Sequence, residues 1–355
     1  MNKKQSKRKI NLKSAILLLL LLAILLTAST YAWFTANRTV TVDDIDVNIA
    51  AQNGLQISAN GVDWKSILKL EDLKAGYTSP NGTADTNQLP TTMEPVSTAG
   101  NVTNGKMEMF YGSVDPVDGE YALTATEQTD TKGENGKYVA FDIFLKVNQN
   151  EDNVILGENS HVVFKDQTTD RGIQNAARVA FLLEGNADEN AGQDTFVGQN
   201  SAVSFGTDAQ ETTYIWEPNS DVHTQSAVTY GQGTYKMGVT SHPEGSKITI
   251  TQTDCAVIPA YGINKKIDTG IKLINSFYGK DFDNGNTDID SFTKVTPSYS
   301  TKAAMTAKEN AFSLKKGVTK MRVYMWIEGQ DVDCENSASG SDATFKVEFR
   351  LPEGQ

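Results

Sequence analysis

The chain has 355 residues and a formal net charge of −12, from 32 Lys and Arg against 44 Asp and Glu. That length suffices to bury a substantial core in one large or two ordinary domains. An acidic surface repels phosphate backbones and anionic headgroups, which excludes nucleic acid as an expected partner; divalent cations and basic polymers stay compatible with it, as does a plain solubilising role for the charge.

The first element is a leader. Six basic residues (Lys3, Lys4, Lys7, Arg8, Lys9 and Lys13) precede an apolar run from Ala15 to Leu26, which gives way to the small residues Thr27, Ala28, Ser29 and Thr30. A basic flank, a short apolar stretch and small residues form, in that order, a secretory signal peptide. The run falls short of the roughly 20 residues a membrane helix needs, which favours cleavage. Read on through Phe34 the segment reaches that length, so an uncleaved anchor is the second reading, and either way membrane contact is expected only through the leader. Small residues three and one before the cut select Thr30 and Ala32, with Trp33 opening the mature chain. The organisation expected is a signal peptide over 1–32, then a β-sandwich domain with loop insertions over 33–355.

The string Thr30-Tyr31-Ala32-Trp33-Phe34-Thr35, followed directly by a strand-like segment, resembles the leader junction of the TasA/camelysin family, exported biofilm-matrix fibre proteins of Gram-positive bacteria with SipW-type signal peptides. The resemblance lies mainly in the leader and this junction. It implies a dedicated signal peptidase that cuts before an aromatic residue, a jelly-roll sandwich, and a secreted or cell-surface location. It also implies a structural role in which copies self-assemble into fibres, the N-terminal segment of one subunit completing a sheet of the next.

From Thr39 to Ile49 the apolar residues alternate as Val40 and Val42, then as Ile45, Val47 and Ile49, with the phase shifting at Asp43-Asp44. The pattern predicts a strand carrying a bulge. Two readings stay open for these residues: donation to another copy, or service as an ordinary first strand of their own sandwich. Asn53-Gly54 predicts a turn before a strand at Leu55–Ser58. The spacing of Trp64, Ile67, Leu68, Leu70 and Leu73 predicts a short helix, and 76–106 reads as a long polar loop.

Strict alternation then predicts strands over Lys137–Val147, Ala177–Leu183, Met321–Ile327 and Phe345–Leu351, with weaker ones at Val162–Phe164 and Lys247–Ile250. On this pattern Asp142, Arg322, Tyr324, Trp326 and Glu328 fall on faces opposite the core. Helical spacing elsewhere is confined to 170–176 and 302–310. The fold class expected is therefore all-β, a jelly-roll-like antiparallel sandwich with long loops, a few short helices and a preceding signal helix. Asn, Asp, Gly and Ser crowd the segments between strands and mark them as turns. No Leu-Pro-x-Thr-Gly string follows the last strand, so covalent wall attachment is not expected. Two strings, Ile215-Trp216-Glu217-Pro218-Asn219 and Trp326 through Cys334, resemble segments of larger secreted proteins with this leader type, without an activity attached.

Catalytic chemistry has few candidates. The three histidines His161, His223 and His242 form no His-Glu-x-x-His pattern and no paired ligand spacing, and there is no Gly-x-Ser-x-Gly elbow and no phosphate-binding glycine loop. No enzyme activity and no resident cofactor are expected, zinc included, although camelysin relatives carry the description of proteases. One loop concentrates oxygen ligands: Asp281, Asp283, Asp288 and Asp290 fit calcium by donor type but not the EF-hand spacing, and Asx-rich turns show the same composition without an ion. Cys255 and Cys334 are the only cysteines; export permits a disulfide, and two separate thiols are the alternative. The function expected is an exported structural protein of the cell surface or biofilm matrix. The alternatives are an adhesin or glycan-binding module, for which Trp216 and Tyr230 are the candidate aromatics, and a membrane-anchored surface protein.

Overall fold

The computed structural model describes residues 39–49, 54–78, 80, 82, 84–117, 120–164, 173–190, 212–218, 222–223, 248–249, 260–272, 291–295, 312–331, 333–334 and 342–351. In chain order the elements begin with β1 (Val40–Ile49), β2 (Gln56–Ser58), β3 (Ile67–Lys69), α1 (Leu70–Ala75), β4 (Thr92–Met93), β5 (Val102–Thr103) and β6 (Lys106–Met107). There follow β7 (Met109–Val117), β8 (Glu120–Gln128), β9 (Val139–Val147), β10 (Glu151–Leu156), β11 (His161–Phe164), β12 (Ala177–Ala187), β13 (Thr212–Trp216) and β14 (Val222–His223). The last are β15 (Ile248–Thr249), β16 (Ala260–Ile263), β17 (Ile267–Lys272), β18 (Phe292–Val295), β19 (Phe312–Leu314), β20 (Gly317–Ile327) and β21 (Asp342–Arg350). The fold is all-β, and the sheets among the described residues form no closed barrel.

Two sheets enclose the main core. The first runs β19-β10-β21-β1-β3, with β11 also on β21 and β4 also on β1; the second runs β13-β12-β20-β9-β2. Period-2 alternation decides what lies between them, because successive side chains of a strand point to opposite faces. Ile45, Val47, Phe345, Val347 and Phe349 from the first sheet meet Phe141, Ile143, Phe181, Val323 and Met325 from the second. Phe181 packs edge-on against Phe349 with ring centres 5.2 Å apart, and Phe349 against Phe312 at 5.4 Å.

The strands expected from alternation are present, and the phase shift at Asp43-Asp44 is a bulge: the register of β1 on β21 slips between Val42 and Asp44. One pairing departs from the antiparallel expectation, since β1 and β21 run parallel. The short helix that the spacing allows from Asp63 to Leu73 is instead β3 followed by α1, because Leu68 pairs with Val47 and turns the middle of that segment into an edge strand. Within 170–176, residues 173–176 form a turn, and 302–310 lies outside the described residues. The hairpin β7-β8, extended by β17, has no counterpart in the sequence expectation.

The segment 76–106 is not a solvated loop. Gln88 exchanges both backbone hydrogen bonds with Ala140, continuing the sheet past the edge of β9, and Val96 donates its N–H to Ile327 O at 3.0 Å. The Gln88 side chain donates to Tyr138 O at 2.7 Å and accepts from Thr131 N at 2.7 Å. Gly136 leaves room for it: φ there is +114°, and a Cβ would come within 2.3 Å of the Gln88 amide carbon. With Met107, Met109 and Tyr138, this cover builds a second core against Ala140, Ala180, Leu182, Tyr324 and Trp326 on the far face of the second sheet.

Candidate functional site

Two regions carry unusual structure. The first is the berth of β1. Here the five strand residues expected to matter for donation sit within their own chain: Val40, Ile45, Val47 and Ile49 are buried in the main core, with Val42 packed at its margin. β1 is flanked on one side by β21, from Thr41 opposite Asp342 to Ile49 opposite Phe349, and on the other by β3 and β4. Val42 N donates to Thr91 O and Ile49 N to Ser66 O, each at 2.9 Å, so both edges of the strand are engaged. An N-terminal strand thus occupies an interior position of the sheet.

The second region is the covered face of the other sheet. Asp142, Arg322, Tyr324, Trp326 and Glu328, placed opposite the core by alternation, are all buried, because Tyr77, Thr86, Val96, Met107 and Asp130 of the preceding segments lie against them. Sequence reasoning missed this, since a polar stripe facing water and one facing a polar-lined cover have the same period. Arg322 is the hub. Its Nη1 donates to Asp142 Oδ1 at 2.5 Å, its Nε to Asp130 Oδ2 at 2.9 Å, and its Nη2 to Thr86 O at 2.9 Å. Tyr77 donates to Asp142 Oδ2 at 2.7 Å and Tyr138 to Asp130 Oδ1 at 2.7 Å, while the Tyr324 hydroxyl receives Met107 N–H at 3.1 Å.

Lys320 completes this cluster, with Nζ 3.2 Å from Asp142 Oδ2 and 2.8 Å from Glu184 Oε2, all three side chains about 97% buried or more. Burial alone would push the Asp142 carboxyl up, yet Lys320 and Arg322 hold it well below the usual carboxylate range. Glu184 goes the other way: burial, reinforced by Asp142, pushes it up to about 7. Two carboxyls that share one ammonium therefore differ in proton affinity, because only Asp142 also accepts hydrogen bonds from the guanidinium and from Tyr77.

A further cluster joins the two strings singled out in the sequence. Arg178 donates to the carbonyls of Asn175 and Ala177 at 3.0 Å each, pairs with Glu217 at 2.5 Å, and donates to Asp331. Antiparallel pairing does this: Arg178 lies opposite Trp326 on β20, and Val179 opposite Trp216 on β13. Trp326 Nε1 donates to Glu328 Oε2 at 3.1 Å and Gln330 N to Oε1 at 3.0 Å; burial nevertheless pushes the Glu328 carboxyl up to about 7. Arg178 fills the space among these acids, so the cluster reads as a structural tie between β12, β13 and the turn after β20.

Several expected site residues fall elsewhere. Thr30, Ala32 and Trp33, the acidic loop with Asp281, Asp283, Asp288 and Asp290, and Cys255, His242 and Tyr230 lie outside the described residues. Cys334 is buried at the edge of the main core. Trp216, expected as an exposed glycan contact, is 1% exposed, because β13 pairs with β12 and turns that ring into the core. Among the described residues no group of three or more His, Cys, Asp or Glu is arranged to hold a metal ion, and no helix is long and apolar enough to cross a membrane. A recess of about 140 Å³, lined by Asn60, Asp63, Lys65 and Asp72 together with Ala59 and Leu68, holds no catalytic pairing, its Lys65 being tied to Asp72 at 2.5 Å. No protein-family model, no curated protein and no solved structure matches this chain.

Proposed function

We propose that this is an exported structural protein of the bacterial cell surface or biofilm matrix, a jelly-roll-like sandwich that assembles with copies of itself by exchange of β1. The observation that carries the reading is the position of β1. The first described strand of the chain fills an interior slot between the C-terminal β21 and the edge strands β3 and β4. If it leaves, β21 presents a row of unpaired backbone groups beside an apolar trough that Ile45, Val47 and Ile49 had filled. Such an edge is a template for strand addition. A β1 from a second copy restores every hydrogen bond and apolar contact in the same register, so the exchange costs little beyond the connection.

The leader supports the same reading. Before cleavage after Ala32, β1 is tethered to the membrane; afterwards its preceding residues are a free end, and cleavage acts as the assembly switch. The test is to delete 33–49 from the mature protein. The deletant is expected to keep the second sheet folded, to form no fibres, and to bind a synthetic 33–49 peptide. A full-length protein that stays monomeric at high concentration would contradict the proposal, as would a deletant that fails to bind the peptide while its second sheet remains folded.

A further inference from the structure

The cluster of Lys320, Asp142 and Glu184 has features that an ordinary buried ion pair does not need. An amine and two carboxyls from three adjacent strands, β20, β9 and β12, converge with almost no exposure, at 3.2 Å and 2.8 Å from the nitrogen. The Glu184 carboxylate is the nearer of the two acids, its Oε2 within hydrogen-bonding distance of the nitrogen. Around them stand Tyr77, Phe144, Ala187 and Val318, with Trp64 at the margin, an apolar pocket at one end of the charged layer. The Lys320 nitrogen lies 6.0 Å from the centre of the Tyr77 ring, and Tyr77 packs edge-on against Phe144 at 5.5 Å.

We infer that Lys320 and Asp142 form an intramolecular amide, a covalent bond between β20 and β9 made by the folded protein itself. The pair begins as ammonium and carboxylate. Glu184 Oε2, nearest the nitrogen, takes a proton from it and passes that proton to Asp142 Oδ2, and the lone pair so exposed attacks Cγ of the neutral acid. Arg322 Nη1 at Oδ1 stabilises the charge that develops there. Tyr77 holds Oδ2, the oxygen that leaves, by its hydroxyl hydrogen bond and keeps its own proton. The bond formed is Nζ–Cγ and the bond broken is Cγ–Oδ2. Of the three ammonium protons one stays on the amide, and two pass by way of Glu184 to Oδ2, which departs as water. No oxidant, reductant or co-reactant is required, and the net charge of the cluster is unchanged.

Two physical effects favour condensation here although it is unfavourable in water. Holding the amine 3.2 Å from the carboxyl group makes the reaction intramolecular, and well-oriented intramolecular reactions reach effective molarities of about 10⁵–10⁸ M. Keeping an ammonium and a carboxylate dry carries a desolvation cost, and the amide removes both charges at once. Arg322 then retains Asp130 as its counter-charge at 2.8 Å. This inference does not depend on fibre formation, since it concerns the sheet that does not contain β1.

The test is the intact mass of the purified full-length or secreted chain, against the mass calculated for the N-terminus that sequencing finds. Expected is a loss of one water, a branched proteolytic peptide joining Lys320 to Asp142, and full calculated mass for Glu184→Gln with folding verified by circular dichroism. A wild-type chain at its full calculated mass overturns the inference, as does a branch at any other carboxyl, Glu184 included. Because the wild-type mass and peptide map decide by themselves, the conclusion holds even if Lys320→Met or Asp142→Asn fails to fold.

Discussion

The two sheets solve opposite problems. The first has one face on the core and one partly open, as the burial of β1 and β21 in alternation shows, and the chain's own first strand sits in its interior. The second is buried on both faces, with every residue of β20 and nearly all of β9 and β12 covered, and its far face is locked by Arg322, Lys320 and Arg178 to acids on neighbouring strands and the cover. A strand held by backbone pairing and apolar contact can be replaced by an identical strand from another copy. A layer of buried ions cannot open without exposing uncompensated charge. The difference teaches where the proposed exchange has room to happen: in the sheet held by pairing and apolar contact, and not in the one tied by buried ions.

The largest effect is expected from breaking the permanent sheet. Arg322→Ala leaves Asp130 with Lys106, 3.8 Å away and over a third exposed, as its remaining cation. Loss of one member of a buried ion cluster costs about 3–5 kcal/mol, read as a drop in the urea midpoint at unchanged slope. An intermediate effect comes from pH. Glu328 has its folded-state affinity raised to about 7 by burial, so the folded chain holds a proton that the unfolded chain releases near the ordinary Glu value. Stability therefore falls as pH rises from about 4.5 to about 7, by up to roughly 1.4 kcal/mol per unit for this one proton, and is flat above that. Glu328→Gln is expected to make the fall over that window shallower, leaving the part that Glu184 contributes in the same direction. The smallest effect belongs to the open face of the first sheet: Lys69→Ala removes a 3.7 Å contact to Asp46 from a side chain that is 59% exposed, and costs less than about 1 kcal/mol.

These magnitudes follow a division that the sequence discloses only in part. The strands β9, β20 and β21 are legible because apolar residues recur at every second position, and the bulge in β1 because Asp43-Asp44 breaks the phase. The hairpin β7-β8 is not, since Tyr111, Ser113 and Asp115 lack an apolar stripe and pair through the backbone. The charged layer is invisible for another reason. Asp142, Glu184 and Lys320 are far apart in sequence, and only the registers that set Asp142 opposite Arg322 and Lys320 opposite Gly185 bring them together. One signal was available: Tyr324 and Trp326 share a stripe with Arg322, and large aromatics interleaved with charges suit a covered face better than a wet one.

Strand exchange is tested most directly by asking which chain supplies the neighbour of β21. Asp46 on β1 lies opposite Lys346 on β21, and adjacent strands about 4.8 Å apart are within the reach of a disulfide. Chains carrying Asp46→Cys are mixed with chains carrying Lys346→Cys under assembly conditions, oxidised, and mapped by mass spectrometry. The account predicts a covalent dimer linked through positions 46 and 346 in the mixture, and no such link in either variant alone. A mixture without that link, when a single chain bearing both substitutions closes it internally under the same conditions, would show that β1 stays at home and would contradict the account.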